Sequence, residues 1–182
     1  MDSALAWIGQ IANWLGTFIP RWTIYDTTEG GVKFVCGKKA VGLGPGIHWY
    51  WPVTTTIVNY PTARQADDLR SQTMMTLDDR VIVVGGMIVY EVTDVLTLLS
   101  TSHSAATTIK DLALTAVHDV CCNLSLSDLM SENRKGTLDT KLRNSAQKVL
   151  TPYGVRVLKL MLIELAPCRV LKLIQTTSSQ EG

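Results

Sequence analysis

The sequence predicts an α+β domain in which strands come first, helices follow and one long strand closes the series. Three patterns carry this reading. Between Val32 and Val92 apolar residues recur with a period of two in segments bounded by Gly and Pro. From Ser104 to Leu150 the repeat becomes helical, and from Val155 to Leu165 the alternation returns. With 182 residues the chain has room for one domain and an appendage.

The appendage comes first. From Ser3 to Pro20 no residue is charged, and Trp7, Ile8, Ile11, Trp14, Leu15, Phe18 and Ile19 fall within the stretch, with Trp22 just beyond it. This stretch explains why charged residues reach only 18% of the chain, against about 25% in an ordinary soluble domain. Read as a helix, its small and polar positions Ser3, Ala6, Gln10, Asn13 and Thr17 gather into a narrow stripe, and every other direction is apolar. Such a helix reaches roughly 27 Å, short of a hydrocarbon core of about 30 Å. No Lys or Arg precedes it, as a cleaved secretory signal requires. We therefore expect residues 1–22 to form a membrane-associated helix that dips into one leaflet or packs through its stripe against copies of itself. The alternative, a buried helix of a soluble core, would have to cover tryptophans on different faces.

After Glu29-Gly30-Gly31, Val32, Phe34 and Cys36 alternate with Lys33 and Val35 as a strand. Gly42-Leu43-Gly44-Pro45-Gly46 reads as a turn, because no helix follows it and it lacks the lysine of a phosphate-binding loop. In the run Ile47-His48-Trp49-Tyr50-Trp51-Pro52 an extended chain places Trp49 and Trp51 on one face. That face suits either a membrane interface or a core strand. Strands are expected at Thr56 to Tyr60 and at Val81 to Val92, the latter with a bulge or close backbone approach at Gly85-Gly86.

The helix over Ser104 to Leu124 buries Ile109, Leu112, Ala113, Ala116, Val117 and Val120 and projects His118 outward, with Cys122 one turn away. Ser125 to Asp128 forms a capping box for a short helix. A second amphipathic helix runs from Thr137 to Leu150 with Leu142 inward, and Pro152-Tyr153-Gly154 breaks it. In the closing strand Val155, Val157, Met161, Ile163 and Leu165 share one side.

Several classes of function find no support. The net charge of +1 offers no field for nucleic acid. The four cysteines show no zinc-ribbon or disulfide spacing, and His118 with Cys122 lacks further ligands, so no metal or other cofactor is expected. No nucleophile elbow, HExxH or other catalytic motif is present, and the chain reads as no enzyme.

Five short stretches occur in order: Glu29-Gly30-Gly31-Val32; Leu43 to His48 with Pro52; Thr76-Leu77-Asp78-Asp79 leading to Val89-Tyr90-Glu91-Val92-Thr93-Asp94; Leu124 to Leu129 with Glu132 and Arg134; and Tyr153 to Val157. Together they resemble the band-7 (SPFH) family of stomatin, prohibitin, flotillin and HflK/HflC. The resemblance spans about residues 29–167. It implies a non-catalytic scaffold bound to membrane lipid, which assembles into homo-oligomers or rings and organises a membrane microdomain. The domain is expected on the cytoplasmic face. The alternative it implies is a regulatory module restraining a membrane protease or another integral membrane protein. Residues 168–182 read as a short tail without coiled-coil heptads. Subunit contacts are accordingly expected from the domain faces, with His118, Cys122, Leu142, Val155 and Val157 as candidates.

Overall fold

The structure is a computed structural model that describes residue 16 and residues 19–168. Trp7, Ile8, Ile11, Trp14, Leu15 and Phe18, and all of the expected tail except Cys168, lie outside the described residues. Among the described residues eight strands and four helices follow in the order β1 (Arg21–Tyr25), β2 (Glu29–Val35), β3 (Lys39–Leu43), β4 (Gly46–Tyr50), β5 (Thr55–Pro61), β6 (Gln65–Met75), β7 (Val81–Val92), α1 (Val95–Thr101), α2 (Ala105–Cys122), α3 (Leu126–Lys135), α4 (Thr137–Leu150) and β8 (Val155–Pro167). They form three antiparallel sheets, ordered β1-β4, β3-β2-β5 and β6-β7-β8. The expected α+β class is observed.

The core lies on one face of the β6-β7-β8 sheet, under α2 and α4. Strand β7 supplies Ile82, Val84, Ile88, Tyr90 and Val92, all at 4% exposure or less, and its outward residues are only partly covered. It is the central strand, and the period-two pattern follows from having one buried face. At Gly85-Gly86 the pairing with β8 shifts register, as expected of a bulge. A Cβ on Gly86 would stand 2.6 Å from the Met161 carbonyl oxygen, so the backbones approach there too closely for any side chain.

Strand β8 corrects the sequence expectation. A second register shift at Val89/Tyr90 turns the strand, so its buried residues are Val155, Val157 and Leu160. Ile163, expected on the same side, is 63% exposed. A bulge moves every later side chain to the other face, and a strict alternation cannot anticipate it.

The helices expected over Ser104–Leu124, from Ser125 and over Thr137–Leu150 are observed as α2, α3 and α4, and α1 is added; Arg21 and Trp22, expected to end a helix over residues 1–22, instead open strand β1. Ser125 Oγ accepts from Asp128 N–H at 3.2 Å and donates to the Asp128 carboxylate at 2.7 Å, so Ser125 caps α3, with the Asp128 carboxylate bound to its hydroxyl and not to the backbone N–H of a full capping box, and α3 runs on to Lys135. Helix α1 is short and carries the β-branched residues Val95, Thr97 and Thr101, and a side-chain cap starts it: Asp94 accepts from Thr97 N–H at 3.1 Å and from the Thr97 hydroxyl at 2.5 Å. These bonds from Thr97 hold the Asp94 carboxyl below its ordinary range. A depressed carboxyl stabilises the fold above its unfolded value and loses that contribution as pH falls through its folded value. Asp94→Ala is therefore expected to cost about 1 kcal/mol at neutral pH. The gap to the parent chain should narrow below about pH 4. Denaturant unfolding at both pH values checks this, and a gap independent of pH would contradict it.

Candidate membrane-facing site

The two-stranded sheet of β1 and β4 has its apolar face outside. Its register pairs Trp22 with Trp49 and Ile24 with Ile47, so the period of two places these four side chains together. They are 58–64% exposed. The two indoles stack, with centroids 6.3 Å apart and planes at 24°. Ile19, just before β1, and Trp51 and Val53, just after β4, are also each more than half exposed. Contiguous apolar surface of this kind marks a docking or membrane-contacting site.

The inner face of the pair holds the polar groups. Tyr25, only 3% exposed, donates its hydroxyl to Asn59 Oδ1 at 2.7 Å, and burial pushes that phenol up. Its ring packs against Gly31, where a Cβ would stand 2.6 Å from the hydroxyl oxygen. His48 meets the Tyr25 ring at 5.9 Å and places Nε2 2.8 Å from the Gly44 carbonyl. Because the inner groups fix the β1–β4 pair to the β3-β2-β5 sheet, turning Trp22 and Trp49 inward would break these bonds. The core-strand alternative for Trp49 and Trp51 is thereby set aside, since both tryptophans stand more than half in solvent.

The patch lies where residues 1–18 join the domain. The turn at Trp51–Thr54 closes by Thr54 N–H to the Trp51 carbonyl at 3.2 Å. It touches the β2–β3 turn through Cys36 N–H to the Thr54 carbonyl at 2.7 Å. One end of the molecule thus gathers Ile19, Trp22, Trp49, Trp51 and Val53. Ile24, Ile47 and Val53 are not among the residues the sequence singles out: a helix expected over residues 1–22 leaves no strand at Arg21–Tyr25 to bring Ile24 beside Ile47. The signal that could have found it is the pair Trp22 and Ile24 at the same spacing as Ile47 and Trp49.

The other candidates separate into two groups. His118 is exposed on α2, with Cys122 Sγ 3.5 Å from its Nε2. A shallow groove between α2 and β6, lined in part by Arg70, Gln72 and Asp111, runs beside it. Burial pushes the neighbouring Cys121 thiol up to about 12, so of the vicinal pair only Cys122 has a thiol in reach of solvent. Leu142, Val155 and Val157, by contrast, are at most 2% exposed and belong to the core between α4 and the sheet. Their side chains cannot meet a second subunit, because the amphipathic face that flagged them is the face the domain itself covers. Among the described residues no group of three His, Cys, Asp or Glu is placed to hold a metal, and no helix is long and apolar enough to cross a membrane.

Two of the sequence landmarks have structural tasks. Thr76 donates to Asp78 Oδ1 at 2.5 Å, and the same oxygen accepts from Leu126 N–H at 3.1 Å, stitching the β6–β7 loop to the start of α3. The Thr76 bond holds the Asp78 carboxyl below its usual range. Tyr90, fully buried, donates to Asp67 at 3.0 Å. Burial and the carboxylate beside it raise its phenol well above the ordinary value.

A strand pair with its apolar face outward, set against the β3-β2-β5 sheet through Tyr25, presents an exposed surface. The chain matches the model of the SPFH domain / Band 7 family over residues 23–174 and belongs to that family. It is 25% identical to Stomatin-1 of Caenorhabditis elegans over 160 residues, covering 87% of this chain and 47% of that protein. It is 24% identical to an uncharacterized protein of Archaeoglobus fulgidus over 151 residues, covering 83% of this chain and 60% of that protein. The chain thus spans about half to three fifths of the length of these relatives. The stomatin-like family is membrane-associated and in general one of scaffolds.

Proposed function

We propose that this protein is a non-catalytic membrane scaffold, held to one leaflet by residues 1–22 together with the β1–β4 strand pair, and that its function is homo-oligomeric assembly at the membrane. The observation that supports this most is the stacked Trp22–Trp49 pair, exposed beside Ile24 and Ile47 where the uncharged segment enters the domain. Indoles favour the headgroup region because each has an apolar body and a polar N–H. On that reading the globular domain sits at the cytoplasmic surface and gathers a lipid or protein microdomain around itself. Contacts between copies then come from exposed faces of the domain, among them the α2 flank carrying His118 and Cys122. Confinement to a plane strengthens them by raising effective concentration.

Deleting residues 1–20 is the test. Several large apolar side chains, each worth roughly 1.5 to 3 kcal/mol on full burial, are removed. The truncated chain is expected to leave the membrane fraction and remain folded. Sedimentation with liposomes equal to that of the full chain would overturn the proposal. Cross-linking of the full chain in membranes should give a ladder, and a product that stops at monomer at every protein density would remove the assembly. Purification in mild detergent with a second protein at constant stoichiometry would favour the regulatory reading, in which the partner is a membrane protease or another integral protein.

A further inference from the structure

We propose that the end of the molecule bearing Trp22, Trp49 and Trp51 is specific for a bilayer with anionic headgroups; the inference rests on the membrane reading above and names the lipid class.

The argument begins with charge placement. From Gly30 to Ala66 the sequence contains no Asp or Glu, whereas Lys33, Lys38, Lys39 and Arg64 fall within it. Folding brings three of these cations to the tryptophan end. Lys38 and Lys39 are exposed at the β2–β3 turn, which the Cys36–Thr54 bond holds against the Trp51–Thr54 turn. Lys33 donates Nζ to the Trp49 carbonyl at 3.1 Å, fixing an ammonium at the base of the stacked pair. Arg21, exposed and paired across the strands with Tyr50, lies at the same end of β1 as Trp22 but on the opposite face of the strand pair. The carboxylates nearest in sequence, Asp26 and Glu29, lie at the β1–β2 turn, at the other end of β1 from Arg21 and Trp22.

These cations are also unneutralised. Among the described residues the ion pairs use Arg64, Arg70, Lys110, Lys141 and Arg156, and none involves Arg21, Lys33, Lys38 or Lys39. An apolar aromatic patch rimmed by unpaired cations is complementary to an interface whose interior is apolar and whose surface is negative. A neutral bilayer would satisfy the indoles and leave the cations unanswered. A second copy of the chain presenting the same patch would set like charges against each other.

The experiment measures binding of the full chain to phosphatidylcholine vesicles with and without phosphatidylserine. The parent chain should bind the anionic vesicles more tightly, and added salt should remove the difference. Lys38→Gln with Lys39→Gln is expected to lower binding to the anionic vesicles by roughly thirtyfold, at about fivefold per charge near the surface, and to leave binding to neutral vesicles unchanged. Arg143→Gln with Lys148→Gln makes the same change in net charge on the exposed side of α4 and should have little effect. Equal binding of the parent chain to both vesicles overturns the inference, and so does an equal loss from the two double variants. Failure to bind either vesicle overturns the membrane reading itself. Self-association in solution that Trp22→Ser abolishes, without vesicle binding, would show that a second copy covers the patch.

Discussion

Replacing Trp22 and Trp49 together by Ser is expected to reduce vesicle binding by about thirtyfold to several hundredfold and to leave the domain folded. The magnitude comes from area. Full burial of a large apolar side chain is worth roughly 1.5 to 3 kcal/mol. Each indole keeps 64% of its surface in solvent, and that part alone is available to lipid. The two together supply about 2 to 4 kcal/mol. The stability cost is confined to the loss of one stacked pair, about 0.5 to 1.5 kcal/mol, because the polar bonds under the β1–β4 pair are untouched. Two measurements separate the surface role from a core role: vesicle sedimentation for the first, and the cooperativity of denaturant unfolding for the second. A double variant that precipitates or unfolds without cooperativity would place the indoles in the core and remove them from the membrane.

What the sequence discloses depends on how many faces an element buries and whether its register is continuous. Strand β7 was legible from end to end because it is central, one face packs on α2 and α4, and even its bulge is marked by a Gly-Gly pair. Strand β6 was not. It is an edge strand with Leu69 and Met74 as its buried residues, five positions apart, and the register shift between Leu69 and Gln72 breaks the alternation that would have shown it. Strand β3 hides beside turn glycines, and α1 is a short helix whose β-branched residues argue against it until Asp94 caps it.

The candidate site was half legible for a related reason. Exposed Trp49 and core Trp49 have the same period of two, so periodicity names the face and not what covers it. The partner strand decides the matter: β1 brings Trp22 and Ile24 to the same side, and the inner side is already occupied by Tyr25 and His48. Amphipathicity misled in the opposite direction at Leu142, Val155 and Val157, where the apolar face is the domain's own core. An apolar stripe becomes an interface only when nothing within the chain has buried it.

The junction that connects the closing strand to the rest of the domain yields the other large expected effect, at Gly154. Its φ of +70° lies in the left-handed region, and a Cβ there would stand 2.7 Å from the Asp94 carbonyl oxygen and 2.8 Å from the Asp94 Cβ. The approach is close because the Gly154 carbonyl accepts three bonds from the turn after β7: from Thr93 N–H at 2.9 Å, Asp94 N–H at 3.1 Å and the Thr93 hydroxyl at 2.8 Å. Gly154→Ala incurs the left-handed cost of roughly 1 to 2 kcal/mol and an overpacking cost of about 1 to 3 kcal/mol, a large part of the stability of an ordinary domain. Gly136, at the end of α3, isolates the first of these costs. Its φ is +71°, and nothing lies within 4 Å of where its Cβ would be. Gly136→Ala should therefore lose only the backbone contribution, and the difference between the two variants measures the close approach of β8 to the start of α1. Denaturant unfolding of both variants reads that difference directly. Equal losses would mean that the turn yields freely and that the three bonds to the Gly154 carbonyl do not hold the two segments together.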